Sequence, residues 1–175
     1  WDALIEACDK LQAAKVTPFY GTFMDTWTIM QGWFDYLAGG MVDISAFYKK
    51  MGELGPDVGP DSEVSFQKTM LPPVKKMMQL VRYTNKDAAS RGYGDGNTAF
   101  ANGQAAMILQ GPWAFSEFEK AKKGLDLGTF PMPATNNPED LKVRVNIDLA
   151  LWVPETADAK EGALAFLQYL MKPEI

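Results

Sequence analysis

The chain has 175 residues, of which 47% are hydrophobic and 22% charged, as in a soluble globular protein. Its net charge of −5 and the absence of a basic stripe argue against nucleic acid as a partner. Histidine is absent and Cys8 is the only cysteine, so we expect no disulfide, no zinc cluster, no other metal site and no cofactor. Cys8 keeps helical spacing with Leu4 and is expected to be buried.

The first half of the chain is mainly helical by pattern. The predicted elements, in order, are an amphipathic helix over 1–14, a short strand over 16–20, and helices over about 25–37, 43–51 and 70–81. Asp25 or Thr26 is expected to cap the second helix, and the Gly39-Gly40 pair to end it. Because Pro72-Pro73 would kink a helix interior, the last of these helices is predicted to begin near Met70.

The second half mixes strands and helices. In order, we predict a helix over 97–102, a strand over 105–109, a helix beginning at Pro112, strands over 125–130 and 143–153, and a helix over 158–171. The strand over 143–153 alternates strictly, and its length of about 36 Å suits a strand that leaves one sheet for another. The last helix is expected to turn Ala163, Phe166, Leu167 and Leu170 inward. Trp33 and Trp152 are expected in the core.

Trp113 stands at the junction between a predicted strand and a predicted helix. The strand over 105–109 is closed by Gly111, and Pro112 fits the first helical position because it has no N–H to leave unpaired. In open α/β sheets, this carboxyl end of the strands is where ligands bind. Gly111, Pro112 and Trp113 are therefore candidate ligand-binding residues, with Trp113 the strongest.

The order of strands and helices predicts an α/β domain with a mostly parallel sheet flanked by helices. Three loops would then share the carboxyl edge of the sheet: 21–27, 110–113 and 131–137. The first of them adds Met24, Asp25 and Trp27 to the candidate site, although Trp27 suits the core as well. An aromatic plane surrounded by amides and hydroxyls suits a neutral polyhydroxylated ligand such as a sugar.

Several segments resemble one protein family. The motif GQAAMILQGPWAF over 103–115 closely resembles the middle of the maltose-binding-protein-like family, the extracellular family 1 solute-binding proteins of ABC transporters. Further similar segments are WDALIEACDKLQAAKVTPF over 1–19, DTW over 25–27, VNIDLALWVP over 145–154 and LMKPE over 170–174. They follow the family's order and cover nearly the whole chain.

The resemblance implies a two-lobed protein of the type II periplasmic-binding-protein fold that closes on a carbohydrate like a hinged trap. It implies no enzymatic reaction, a membrane permease of an ABC transporter as partner, and an extracellular location, either as a cell-surface lipoprotein or in the periplasm. Trp113 matches the tryptophan that stacks on the sugar in the carboxyl-terminal lobe. The segment around Asn146 and Asp148 matches the crossover between lobes, so both residues join the candidate site.

The resemblance also predicts how the chain divides. Residues 1–142 would form the α/β domain of the carboxyl-terminal lobe, and residues 143–175 the crossover strand and helix that return to the other lobe. The amino-terminal lobe would precede Trp1, so we expect a fragment that binds its sugar poorly alone and self-associates through the strand over 143–153. Thr22 and Met24 stand where the maltose binder has a glutamate and a tyrosine, so malto-oligosaccharide specificity is not implied.

Two other functions remain open from the sequence. A glycan hydrolase would need paired carboxylates, for which only Asp25, Asp148 and Glu117 are candidates, and no spacing ties any two of them together. A binder of a non-sugar solute would need several carboxylates around the aromatic residues for a polyamine, or loop arginines for glycerol phosphate. None of the arginines lies in the three loops.

Overall fold

The structure of the chain, a computed structural model, describes residues 1–145 and 150–175. The chain divides into two compact units, Trp1–Arg144 and Val145–Ile175. The first unit combines a small parallel sheet with helices, which confirms the predicted α/β class. The roles predicted for residues 1–142 and 143–175 stay predictions.

Two short parallel strands form the sheet of the first unit. Strand β1 is Phe19–Tyr20 and strand β2 is Met107–Ile108, with Phe19 opposite Met107 and Tyr20 opposite Ile108. Backbone hydrogen bonds extend the pairing backwards, from Ala106 N–H to the Thr17 carbonyl and from Met107 N–H to the Pro18 carbonyl, both at 2.9 Å. The strands predicted over 16–20 and 105–109 are thus confirmed in place but are shorter than predicted.

Six α-helices accompany this sheet among the described residues of the first unit. They are α1 (Asp2–Ala13), α2 (Asp35–Met41), α3 (Ile44–Leu54), α4 (Phe66–Val81), α5 (Tyr93–Ala101) and α6 (Phe115–Ala121). A π-helical stretch, Thr28–Phe34, leads into α2. The Asp43 carboxylate accepts a hydrogen bond from Ala46 N–H at 2.9 Å and so caps the first turn of α3.

Trp33 is the largest fully buried side chain among the described residues, with 1% of its surface exposed. Its ring meets those of Phe19 and Phe23 edge to face, each with ring centroids 5.4 Å apart. The same core cluster contains Trp1, Leu4, Cys8, Leu37, Leu80 and Ala134. The core positions predicted for Trp33 and Cys8 are therefore confirmed. Burial raises the pKa of the Cys8 thiol to about 11, with the charge of Asp9 adding to the effect.

The glycine pair Gly39-Gly40 does not end a helix as predicted, because α2 continues to Met41. Packing explains why glycine is found there. A Cβ on Gly40 would lie 2.6 Å from the Cβ of Ala134, whereas a Cβ on Gly39 would meet nothing within 4 Å. Gly40 therefore allows α2 to approach the segment around Ala134 closely, and tertiary contact overrides its weak helix propensity.

The start predicted near Met70 for α4 is wrong, since the helix begins at Phe66 and includes both prolines. Ser65 caps its first turn, because the Ser65 hydroxyl accepts a hydrogen bond from Lys68 N–H at 3.1 Å. Each proline removes one backbone donor from the helix. Burial of Met70, Pro73 and Leu80 offsets that loss. The predicted start of α5 is also late, because the helix begins at Tyr93 rather than Asn97.

The predicted strand over 125–130 is wrong, because these residues form no regular element and Phe130 is 59% exposed. The strand over 143–153 is not seen at 143–145 or 150–153, and residues 146–149 lie outside the described residues. Val145 and Trp152 are 88% and 86% exposed, so the core position expected for Trp152 is wrong. An alternating apolar pattern becomes a strand only where a neighbouring strand pairs with it.

The second unit contains helix α7, Lys160–Leu170, which confirms the helix predicted over 158–171. The predicted inward stripe is not buried, however: Phe166 is 59% exposed and Leu170 is 40% exposed. An apolar stripe buries its side chains only against a second element. No helix in the described residues is both long and apolar enough to cross a membrane.

The two neighbouring glycines of α2 provide a matched test of the packing. We expect Gly39→Ala to raise the free energy of unfolding by about 0.5–1 kcal/mol, because alanine costs less backbone entropy in a helix. Gly40→Ala is expected to lower it by about 1–3 kcal/mol, because its methyl group would overlap Ala134. Urea unfolding followed by circular dichroism measures both. Equal effects of the two substitutions would contradict the close approach of α2 to Ala134.

Candidate functional site

The two strands place two chain segments at one edge of the sheet. Because β1 and β2 are parallel, the segments that follow them, 21–27 and 109–113, start from the same edge. The π-helical stretch also reaches this edge: a Cβ on Gly32 would lie 3.8 Å from the Leu109 carbonyl oxygen. This end of the sheet, called the ligand edge below, is where the sequence predicts the site.

Trp113 is presented by a tight turn at the ligand edge. Pro112–Ala114 form a single 3-10 turn that leads into α6. The indole folds back over Gly111, since a Cβ there would lie 2.1–2.5 Å from three ring atoms. Gly111 has a φ of −95°, which any residue adopts, so glycine serves here to make space. The indole, 49% exposed, therefore rests one face on the Gly111 backbone.

Met24, Asp25 and Trp27 meet the start of α5 at the same edge. The Asp25 carboxylate accepts a hydrogen bond from Tyr93 N–H at 2.6 Å. The Trp27 and Tyr93 rings are tilted against each other, with centroids 5.2 Å apart. A Cβ on Gly92 would lie 2.9 Å from the Met24 terminal methyl and 3.1 Å from Asp25 Oδ2. The first loop and the start of α5 thus form one surface.

Tyr93 is a further candidate residue at this edge that the sequence pattern does not single out. The sequence analysis predicts no helix before residue 97, although Asp95 three residues after Gly92 is a helix-start signal. In the structure Asp95 Oδ2 accepts a hydrogen bond from Gly92 N–H at 3.3 Å, and α5 begins at Tyr93. Tyr93 thereby adds a partly exposed phenol beside Trp27.

The loop that carries these residues is held by Thr28. The Thr28 hydroxyl lies 2.8 Å from the carbonyl oxygens of both Thr22 and Asp25, and it is buried. Thr22 itself is 2% exposed and lies against Gly96, where a Cβ would come within 2.2 Å of its methyl group. Thr22 is therefore a packing residue, whereas Met24 is 58% exposed.

The loop over 131–137 is the third segment that the sequence predicts at the ligand edge. In this loop Ala134 packs in the core cluster, and its carbonyl accepts a hydrogen bond from Lys76 Nζ at 2.6 Å. The strand predicted before this loop does not form. Asn146 and Asp148 lie outside the described residues.

The described carboxylates among the candidate residues are engaged in local contacts. Glu117 pairs with Lys120 at 2.7 Å on the exposed side of α6, while Asp25 is bound to the backbone of Tyr93. No group of three metal-ligating side chains occurs in the described part of the chain. Arg91 pairs with Asp87, and hydrogen bonds from Asn85 and Arg91 lower the pKa of the Asp87 carboxyl.

The fold is that of bacterial solute receptors, as solved structures show. The chain belongs to the bacterial extracellular solute-binding protein family, whose model matches residues 1–175. The structure of the solute-binding protein RafE in complex with raffinose is similar with a TM-score of 0.69 and 22% identity, over 99% of this chain and 44% of that one.

Two further relatives are informative. The multiple sugar-binding protein of Streptococcus mutans serotype c is 23% identical over 172 residues, which are 97% of this chain and 40% of that protein. The bacterial solute receptor AcbH, described as having an exclusive preference for β-D-galactopyranose, is 26% identical with a TM-score of 0.55, over 81% of this chain and 34% of that one. The chain spans less than half the length of these relatives.

The contact between Gly111 and Trp113 predicts the effect of a single methyl group. We expect Gly111→Ala to push the indole off the backbone and to increase quenching of Trp113 fluorescence by acrylamide, because both ring faces become accessible. Gly94→Ala, with nothing within 4 Å of its Cβ, is the matched control and should leave quenching unchanged. The Trp113 contribution is obtained by subtracting a Trp113→Phe background. Unchanged quenching in Gly111→Ala would contradict the stacking on Gly111.

Proposed function

We propose that the chain forms the ligand-binding part of a carbohydrate receptor that serves uptake by an ABC transporter. The observation that carries the proposal is the half-exposed Trp113 indole, supported on Gly111 at the ligand edge of a solute-binding fold. A sugar ring offers an apolar C–H face that stacks on an indole. Its hydroxyl groups need hydrogen-bonding partners around that plane.

The ligand edge also offers hydrogen-bonding partners for a sugar. Asp25 Oδ2 is bound by Tyr93 N–H, which leaves Oδ1 as an acceptor for a sugar hydroxyl. Tyr93 and Gln110 add a phenol and an amide at the same edge. Gly111 and Pro112 shape the turn, and Met24 and Trp27 contribute apolar contact. Asn146 and Asp148 remain proposed ligand contacts in the crossover segment.

The relatives point to the same ligand class. RafE was solved with raffinose, AcbH is described as preferring β-D-galactopyranose, and the streptococcal relative is named for binding multiple sugars. We therefore propose an oligosaccharide or a galactose-containing sugar as ligand. The partner is a membrane permease, and the location is extracellular, at the cell surface as a lipoprotein or in the periplasm.

We propose binding without conversion of the sugar. The hydrolase alternative needs two carboxyl groups that face each other across a glycosidic bond. Asp25 and Glu117 are engaged with a backbone N–H and with Lys120, respectively. We expect chromogenic p-nitrophenyl glycosides to remain intact in the presence of the protein. Release of nitrophenol that depends on Asp25 would contradict this.

A ligand panel tests the proposal directly. We expect the melting temperature of the full-length protein to rise with at least one sugar among raffinose, melibiose, D-galactose, sucrose and maltose, because a ligand that binds only the folded state stabilises it. Spermidine and glycerol 3-phosphate represent the non-sugar solutes and are expected to have no effect. Stabilisation by either of these, with none by the sugars, would overturn the proposal.

Trp113 is expected to contribute a large share of the binding energy. In the full-length protein, we expect Trp113→Ala to weaken binding of the sugar found in the panel by about 1–3 kcal/mol, the range of an interface hot spot. Tyr48→Ala, at an aromatic residue of α3 that is 65% exposed, is the control and should bind normally. Isothermal titration calorimetry measures both variants.

Thermal melting of the same variants separates binding from folding. Because Trp113 is half exposed, Trp113→Ala should change the melting temperature little. Trp33→Ala should lower the free energy of unfolding by about 3–5 kcal/mol, since it leaves a cavity in the core. A Trp113→Ala variant that binds normally but melts early would show that Trp113 is a packing residue and that the site lies elsewhere.

A further inference from the structure

Asn97 is, among the described residues, the one whose buried side-chain polar atoms have no hydrogen-bond partner. The residue is 3% exposed, and neither Oδ1 nor Nδ2 meets a donor or an acceptor. A buried amide without partners destabilises the folded state, so such groups call for a specific explanation. Neither the core nor the sugar site described above uses Asn97.

The helical register of α5 shows where Asn97 lies. One face of α5 packs on the sheet, because Gly96 lies against Thr22 and Ala99 clusters with Tyr20. Another face packs on α6, where the Phe100 ring lies 5.0 Å from the Phe118 ring. Residues three apart share a helix face. Asn97 therefore lies on the face of α5 that packs against α6.

The direction of the two helices sets the level of Asn97 along α6. Helix α5 starts at the ligand edge, where Tyr93 N–H donates to Asp25, and α6 starts there too, after β2. The contact between the Phe100 and Phe118 rings lies further from the ligand edge than the first residues of α5 and α6. One turn back towards the ligand edge, Asn97 corresponds to Ala114, which is fully buried and has only a methyl group.

We propose that Asn97 is a positioning residue for Trp113: its amide holds an ordered water that bridges α5 to the 111–114 turn. Ala114 directly follows Trp113, so a bridge at this level fixes the turn that presents the indole. Ordered waters satisfy buried polar groups in this way and make about three hydrogen bonds each. The amide supplies both a donor and an acceptor, as such a bridge requires.

The first test needs no ligand. The protein is labelled with 5-fluorotryptophan, and the Trp113 signal is identified by its loss in Trp113→Phe. Asn97→Leu removes the amide at similar volume; we expect it to melt no earlier than wild type while the Trp113 ¹⁹F signal moves. Asn97→Ser keeps a hydroxyl for the water and should retain the wild-type signal.

Phe100→Leu is the matched control on the same face of α5. It loosens the packing on Phe118 and should lower the melting temperature, but it leaves the amide in place, so the Trp113 signal should not move. An unmoved Trp113 signal in Asn97→Leu, or equal shifts in Asn97→Leu and Phe100→Leu, would overturn the proposal. So would a crystal structure in which protein atoms alone satisfy the Asn97 amide.

The second test rests on the proposed function and uses raffinose. We expect Asn97→Leu to bind raffinose about three- to tenfold more weakly than wild type, the worth of one hydrogen bond. An unchanged affinity would overturn the positioning role. If wild-type protein binds no raffinose, the proposed ligand fails, and the ¹⁹F comparison still decides the role of Asn97.

Discussion

The parallel pairing of β1 with β2 is the constraint on which the candidate site depends. It joins Phe19–Tyr20 to Met107–Ile108, two segments that are distant in sequence, and so starts the loops that follow them from one edge. So short a sheet is not held by its own hydrogen bonds alone. Trp33 packs edge to face on Phe19 and Phe23, which fixes the first strand and the loop after it to the core. The aromatic core thereby stabilises the geometry that presents Trp27 and Trp113.

At the ligand edge, three glycines allow side chains to pack directly against the backbone. Gly92 receives Met24 and Asp25, Gly96 receives Thr22, and Gly111 receives the Trp113 indole. In each case a side chain lies where the Cβ of any other residue would be, so the contact is between a side chain and a backbone. The backbone of a folded segment has no side-chain rotamers. A ring that packs on it therefore rests on a more rigid surface than a ring that packs on another side chain. A stacking platform benefits from this, because a ligand that meets a pre-oriented plane loses less entropy on binding.

The sequence predicted what depends on local pattern and missed what depends on partners. The helices with a clear apolar stripe, such as those beginning after Trp1 and Asp43, appear nearly where expected, and Asp43 also caps the second of them. The Gly-Pro-Trp turn also follows from residue chemistry, because proline suits a helix start. In contrast, Gly40 and Pro73 were read as helix breakers, and only their contacts with the rest of the core explain why the helices continue through them. The strands over 125–130 and 143–153 failed for the converse reason: their patterns were suitable, but no strand pairs with their described residues. Tyr93 was missed because its place beside Trp27 follows from how α5 docks on the first loop.

The distribution of charge at the ligand edge argues for a neutral ligand. Asp25 and Asp95 are carboxylates at this edge, and they accept hydrogen bonds from the backbone N–H groups of Tyr93 and Gly92, so part of their negative charge is already compensated. A polyamine would need several uncompensated carboxylates beside the aromatic rings, because desolvating each ammonium group is costly. Phosphate recognition would favour arginine, but Arg91 is paired with Asp87 and Arg144 with Asp35. With Thr22 buried and Met24 apolar, Asp25, Tyr93 and Gln110 are the polar side chains of this edge that we propose as ligand contacts together with Trp113. Such a set, with a carboxylate, a phenol and an amide at the same edge as an aromatic face, matches the hydroxyl groups and the apolar face of a sugar ring better than it matches a multiply charged solute.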